Sequence, residues 1–200
     1  VQTLTVTREA SYTLNFLVYI QNVYLNQENS TETARFPYMP ITYSFRDDFE
    51  RQYAVLWQEL VGRIQQHPAN DTGIFAEEQE MFYSRLFEDD NQNWSDYTAL
   101  YRSYRSWWES LAGHFSLERA LDDKAEKVYS ALAEWIKAEG LELKKKLTMS
   151  VLYDENLLGG TSPSAYFVTV PLRLFYVDDA DLLVKLQVSV YEDEQRIIAL

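Results

Sequence analysis

The chain has 200 residues, enough to bury a sizeable core, and an apolar fraction of 46% with only 6 Gly and 5 Pro is the composition of a folded protein. Its 18 basic residues against 31 acidic ones leave a net charge of -13, a field that repels phosphates and argues against nucleic acid as a partner. The absence of cysteine excludes thiol catalysis, disulfides and thiolate metal sites, and no apolar run reaches the roughly 18 residues a transmembrane segment needs.

The expectation is one soluble, acidic domain, 1–200, of α+β class. It comprises an N-terminal segment and loop (1–43), a helical section (44–140) and a β-meander (144–192). No charged-then-apolar segment opens the chain, so a cytoplasmic location is expected. Because the first residue is Val1 rather than Met, an extracellular location after removal of an upstream segment is the alternative.

In chain order, residues 2–7 alternate as a strand does. In 12–20, Tyr12, Leu14, Phe16, Val18 and Ile20 stand at period two, whereas Leu14, Leu17, Val18, Gln21 and Tyr24 fit a helix. The β-branched and aromatic content favours a strand. Residues 26–40 form a loop. Ser44 and Asp47 resemble a capping box ahead of a helix whose face is Phe49, Tyr53, Leu56, Trp57, Leu60 and Ile64 and which His67-Pro68 ends.

A second helix near 73–87 is capped by Asp71 or Thr72, with the stripe Phe75, Gln79, Phe82 and Leu86. After a polar linker, Glu88–Asn93, Ser95 or Asp96 starts a third carrying Leu100, Tyr101, Tyr104, Trp108 and Leu111, closed by Gly113. Ser116 caps the longest helix, 117–139, with Leu121, Ala125, Val128, Leu132, Trp135 and Ile136 on one face and Gly140 as its left-handed C-cap.

The last quarter changes period. Alternation in 147–153, 166–174 and Leu182–Tyr191 predicts three antiparallel strands, punctuated at Gly159-Gly160 and at Asp178–Asp181. Pro171 removes a ladder donor and places the middle strand at an edge or a bulge. The antiparallel helices would cover the apolar face of this sheet, to which the N-terminal segment can add a strand.

Sites are harder to read. Neither HExxH nor paired Glu-x-x-His is present, so no metal and no cofactor is expected. Glu109 follows Trp107-Trp108, and a carboxyl held against rings can serve as an acid; His114, four residues from Glu118 across a predicted break, is the other candidate catalytic group. The acidic runs 88–90 and 178–181 lack calcium-loop spacing. Lys144–Lys146 read as a helix end and solvated strand start. The sequons at Asn29, Asn70 and Asn93 read as coincidence.

The aromatic stretch supplies a candidate binding surface: Trp94, Tyr97, Arg105, Trp107 and Trp108, ring and Arg side chains of the kind that dominate protein interfaces. The leading functional expectation is therefore a non-catalytic protein-interaction or regulatory module, with a protein partner or self-association as a dimer. The alternatives are an acid/base hydrolase of a polar or glycan substrate, using carboxylates near the Trp-rich helix, and a small-ligand sensor with an apolar cavity between helices and sheet.

Overall fold

The computed structural model describes residues 4–28, 34–67, 71–141, 143, 145–160, 166–177 and 179–198. The chain divides into two compact units. A helical unit comprises Ser11–Gly113 and Asn156–Gly160; a sheet unit comprises Val1–Ala10, His114–Glu155 and Thr161–Leu200. The protein is mostly helical, and its small sheet of three strands is entirely parallel. The expected antiparallel meander is thereby corrected.

In the helical unit, α1 (Tyr12–Glu28), α2 (Phe49–Gln66), α3 (Asp71–Leu86) and α4 (Asn91–Trp108) are joined by loops. The strand favoured for 12–20 is the first two turns and more of α1. Every residue from Thr13 to Val23 is buried, so apolar side chains stand on all sides of the helix. An all-round apolar helix has no single stripe, and its sequence satisfies period two as readily as 3.6. Its buried amides are tied. Asn15 Nδ2 donates to Ser11 O (2.8 Å), Asn22 Nδ2 donates to Phe36 O (2.9 Å), and Gln21 Oε1 accepts from Leu157 N (2.7 Å) and Leu158 N (3.0 Å).

The α1 N-terminus has no acid of its own in the first turn. Asp71 of α3 supplies one: its carboxylate accepts from Ser11 Oγ (2.7 Å), Tyr12 N (2.5 Å) and Thr13 N (3.1 Å), while Thr13 Oγ1 donates to the Asp71 carbonyl (2.8 Å). The negative charge meets the positive end of the helix and satisfies its orphan donors. Asp71→Ala is expected to destabilise the protein by about 2 kcal/mol, and Asp71→Asn by about half of that. Urea midpoints check this, and equal losses in the two variants would refute a charge-dependent cap.

The predicted face of α2 is buried residue for residue, from Phe49 to Ile64. Its start differs, because Ser44 and Asp47 form no capping box and the helix begins after Asp48. The Asp48 carboxyl is held down to about 2 by the Gln52 amide and by Arg51 and Arg46. Within the α3 stripe Phe82 and Leu86 are buried, whereas the Phe75 and Gln79 side chains lie outside the described ones. The start predicted for α4 at Ser95 or Asp96 is one turn late. Asp90 caps it, its Oδ1 accepting from Asn93 N (2.7 Å).

In the sheet unit, the parallel order is β1 (Val6–Glu9), β2 (Leu147–Leu152), β3 (Phe167–Pro171). Val6 pairs with Leu147 and Arg8 with Met149; on the other side Met149 pairs with Val168 and Leu152 with Pro171. Strand β2 is buried on both faces, as a central parallel strand must be. Pro171 ends β3, an edge strand, where a missing N–H breaks no second ladder.

Helix α5 (His114–Glu139), α6 (Leu172–Val177) and α7 (Asp179–Ile198) pack on one another and on the sheet. Ser116 lies inside α5 and does not cap it; Gly140 takes the left-handed conformation (φ 66°) just beyond its end. The Leu121 and Ala125 side chains lie outside the described ones. The strand expected at Leu182–Tyr191 is part of α7. There Leu182, Leu186 and Val190 are buried at spacing four, while Val184 and Val188 are 54% and 41% exposed. Alternate positions are apolar throughout, so the run fits both periods, and burial selects the helical one.

Candidate functional site

The aromatic residues singled out from the sequence separate into core and surface. Tyr97 is fully buried against Phe16, Tyr83 and Phe87, and burial pushes its phenol far above the ordinary range. Trp108 packs edge-on against Tyr12 at 5.4 Å and tilts against Tyr104. Trp107 is half-buried between Tyr19 and Phe36, at centroid distances of 6.1 and 5.2 Å. Trp94 is 40% exposed and leans edge-on to Tyr83.

The candidate catalytic groups sit on open, exposed helix surface. Glu109 Oε1 accepts from Arg105 Nε at 2.8 Å, both side chains being exposed, so Glu109 is not sheltered by the rings that precede it. His114 and Glu118 share a face after all, because α5 begins at His114; they stand 3.3 Å apart on the first turns, also exposed. Asn93 uses its amide nitrogen on Ser44 O (2.8 Å) and Glu88 O (2.7 Å) in a buried setting, so its sequon is occupied by structure. Asn29, Asn70, Lys144 and Asp178 lie outside the described residues. Among the described residues no cluster of three or more His, Asp or Glu is placed to hold a metal ion, and no helix is long and apolar enough to cross a membrane.

A concave site lies in the sheet unit. A cavity of about 330 Å³ is bounded by Val6 and Arg8 of β1, Met149 of β2, Phe175 of α6, Leu186 of α7 and the inner side of α5. Helix α5 contributes Val128 and Leu132 to its body and Asp122, Glu126 and Tyr129 to its rim. Alternation along the strands builds this wall. Val6, Arg8 and Met149 stand on one sheet face in register, so a small apolar wall carries one guanidinium.

Charge at the rim is arranged by α5, where Asp122 and Glu126 are one turn apart. Arg8 Nη1 lies 3.8 Å from Asp122 Oδ1, a long, solvated pair. Tyr129 donates its hydroxyl to Leu4 O (3.0 Å), which fixes the ring and spends the donor outside the cavity. Phe175 is 1% exposed and Met149 3%, so the inner wall is buried, whereas Asp122 and Glu126 are exposed at the rim.

Sequence reading assigned none of these residues to a site. Val128, Leu132, Met149 and Leu186 were legible as apolar positions of their own elements, but the cavity exists only because β1 lies beside β2. No family model, curated protein or solved structure matches the chain.

Proposed function

We propose that the sheet unit binds a small, mainly apolar molecule in the cavity beside α5, and that the chain acts as a small-ligand sensor. The observation that carries this reading is the cavity itself: about 330 Å³, apolar within, with a few charged groups converging on one side. Sites for small molecules have this size and this division of labour, the apolar walls giving affinity and the polar groups orientation.

The other readings draw less support. A hydrolase needs two convergent carboxylates around a substrate, and Glu109 stands instead in an exposed pair with Arg105. A protein-interaction surface on the Trp-rich helix loses Tyr97 and Trp108 to the core, leaving Trp94 and Arg105 as its outward members.

The neutral probe 1-octanol tests the proposal. It is expected to raise the thermal midpoint of the protein, by the equivalent of about 2.7 kcal/mol once its concentration is a hundred times its Kd. Leu132→Phe, which puts a ring into the cavity, is expected to abolish that rise. A midpoint unmoved by octanol up to its solubility limit, or moved equally in the filled variant, would refute the site.

A further inference from the structure

The rim of the cavity says more than that a ligand fits. Among the described residues three charged side chains border it: Arg8 from β1, and Asp122 and Glu126 from α5. The guanidinium faces Asp122 at 3.8 Å and offsets one of the two carboxylates, so the described charges at the opening sum to one negative unit. That local sign agrees with the -13 of the whole chain, whose field concentrates cations and repels anions around any cleft.

The aromatic groups point the same way. Tyr129 has its hydroxyl committed to Leu4 O, so what it offers the cavity is a ring face or edge and no donor for an anion. Phe175 adds a second, buried ring. Rings beside carboxylates attract an ammonium through both quadrupole and charge. An anionic head would find one donor group, Arg8, already drawn toward Asp122.

Resting on the cavity being a ligand site, we infer that its ligand is an amphipathic organic cation. An apolar tail fills the space lined by Val128, Leu132, Met149 and Leu186, and an ammonium head lies at the rim beside Glu126 and Tyr129. The occupant is recognised by its division into tail and positive head, so alkyl- and arylammonium compounds are its chemical class.

Three probes with the same eight-carbon tail test it by calorimetry at low salt and neutral pH: octyltrimethylammonium, 1-octanol and octanoate. The cation is expected to bind about tenfold tighter than octanoate, with octanol between them, and the gap is expected to shrink as salt is added. Glu126→Gln is expected to narrow the cation-to-anion ratio to about threefold or less, and Arg8→Gln to widen it. The thermal midpoint of each unliganded variant reports that the fold is kept. Octanoate binding as tightly as the cation, or a ratio indifferent to both substitutions, overturns the charge assignment while leaving the cavity as a ligand site. Failure of all three probes overturns the cavity reading itself, and the cation inference with it.

Discussion

Tyr104→Ala is expected to lower the stability of the helical unit by about 4 kcal/mol. Tyr104 is fully buried on α4. Around it stand Tyr12 at 5.1 Å, Phe16 at 4.9 Å, Tyr19 at 5.2 Å, Trp107 at 5.8 Å and Trp108 at 5.7 Å between ring centroids. Truncation removes the ring, leaves a cavity, and strips edge-to-face partners from α1 and from the end of α4; buried aromatic-to-alanine changes cost about 3–5 kcal/mol. The hydroxyl also donates to Tyr12 O at 2.7 Å, in the first turn of α1. Tyr104→Phe keeps the packing and loses only this bond, so about 1 kcal/mol is expected.

Tryptophan fluorescence during urea unfolding reads the experiment well, because Trp57, Trp94, Trp107 and Trp108 belong to the helical unit and only Trp135 to the sheet unit. A loss under about 2 kcal/mol for the alanine variant would mean that the rings close over the gap, contrary to a tightly packed cluster.

Gly113→Ala is expected to cost about 3 kcal/mol, and for a reason of space rather than of backbone freedom. A Cβ at Gly113 would run into the Trp107 carbonyl oxygen and stand 2.7 Å from both the Cα and the carbonyl oxygen of Trp108. These are backbone atoms. They cannot swing aside as a flexible side chain would, so the turn that follows α4 must open, and overpacking of this kind costs about 1–3 kcal/mol or more. Gly140 is the informative contrast. It has a left-handed φ of 66° but nothing within 4 Å of a Cβ, so Gly140→Ala carries only the conformational penalty of about 1 kcal/mol. If the two alanine variants unfold at the same urea concentration, the close approach at Gly113 is not what the chain needs there.

Helices whose apolar positions fit period 3.6 alone were legible in the sequence, and those that also fit period two were not. Helix α2 shows its face outright, and the bulk of α5 and its Gly140 end are placed correctly. Helices α1 and α7 were read as strands because each carries apolar residues at alternate positions; which side is buried depends on neighbours that the local sequence does not name. The α1 cap was invisible for the same reason, since Asp71 is 59 positions from Tyr12, the residue whose N–H it accepts.

The parallel sheet was beyond local reading. Short alternating runs look identical whether neighbouring strands run antiparallel, as in a meander, or parallel, and only the pairings of Val6 with Leu147 and of Met149 with Val168 distinguish the two. The cavity inherits that blindness. Its lining comes from β1, α5, β2, α6 and α7, so its residues meet only once the crossovers are known. The aromatic locus, by contrast, was legible as composition; Trp94 and Arg105 differ from Tyr97 and Trp108 through which side of α4 is covered.

The order along the chain, in which Ser11–Gly113 of the helical unit separates β1 from α5, has a consequence for biosynthesis. Strand β1 leaves the ribosome long before β2, its neighbour in the sheet; at roughly 5–20 residues per second the wait is on the order of ten seconds. During that interval the Val6–Glu9 segment lacks the partner it has in the finished sheet. Arg8 and Glu9 put a charge on each side of so short a strand, which is how nascent edges are kept from adhering to strangers. The same guanidinium that borders the cavity in the finished protein would then serve first as a guard on the unfinished one.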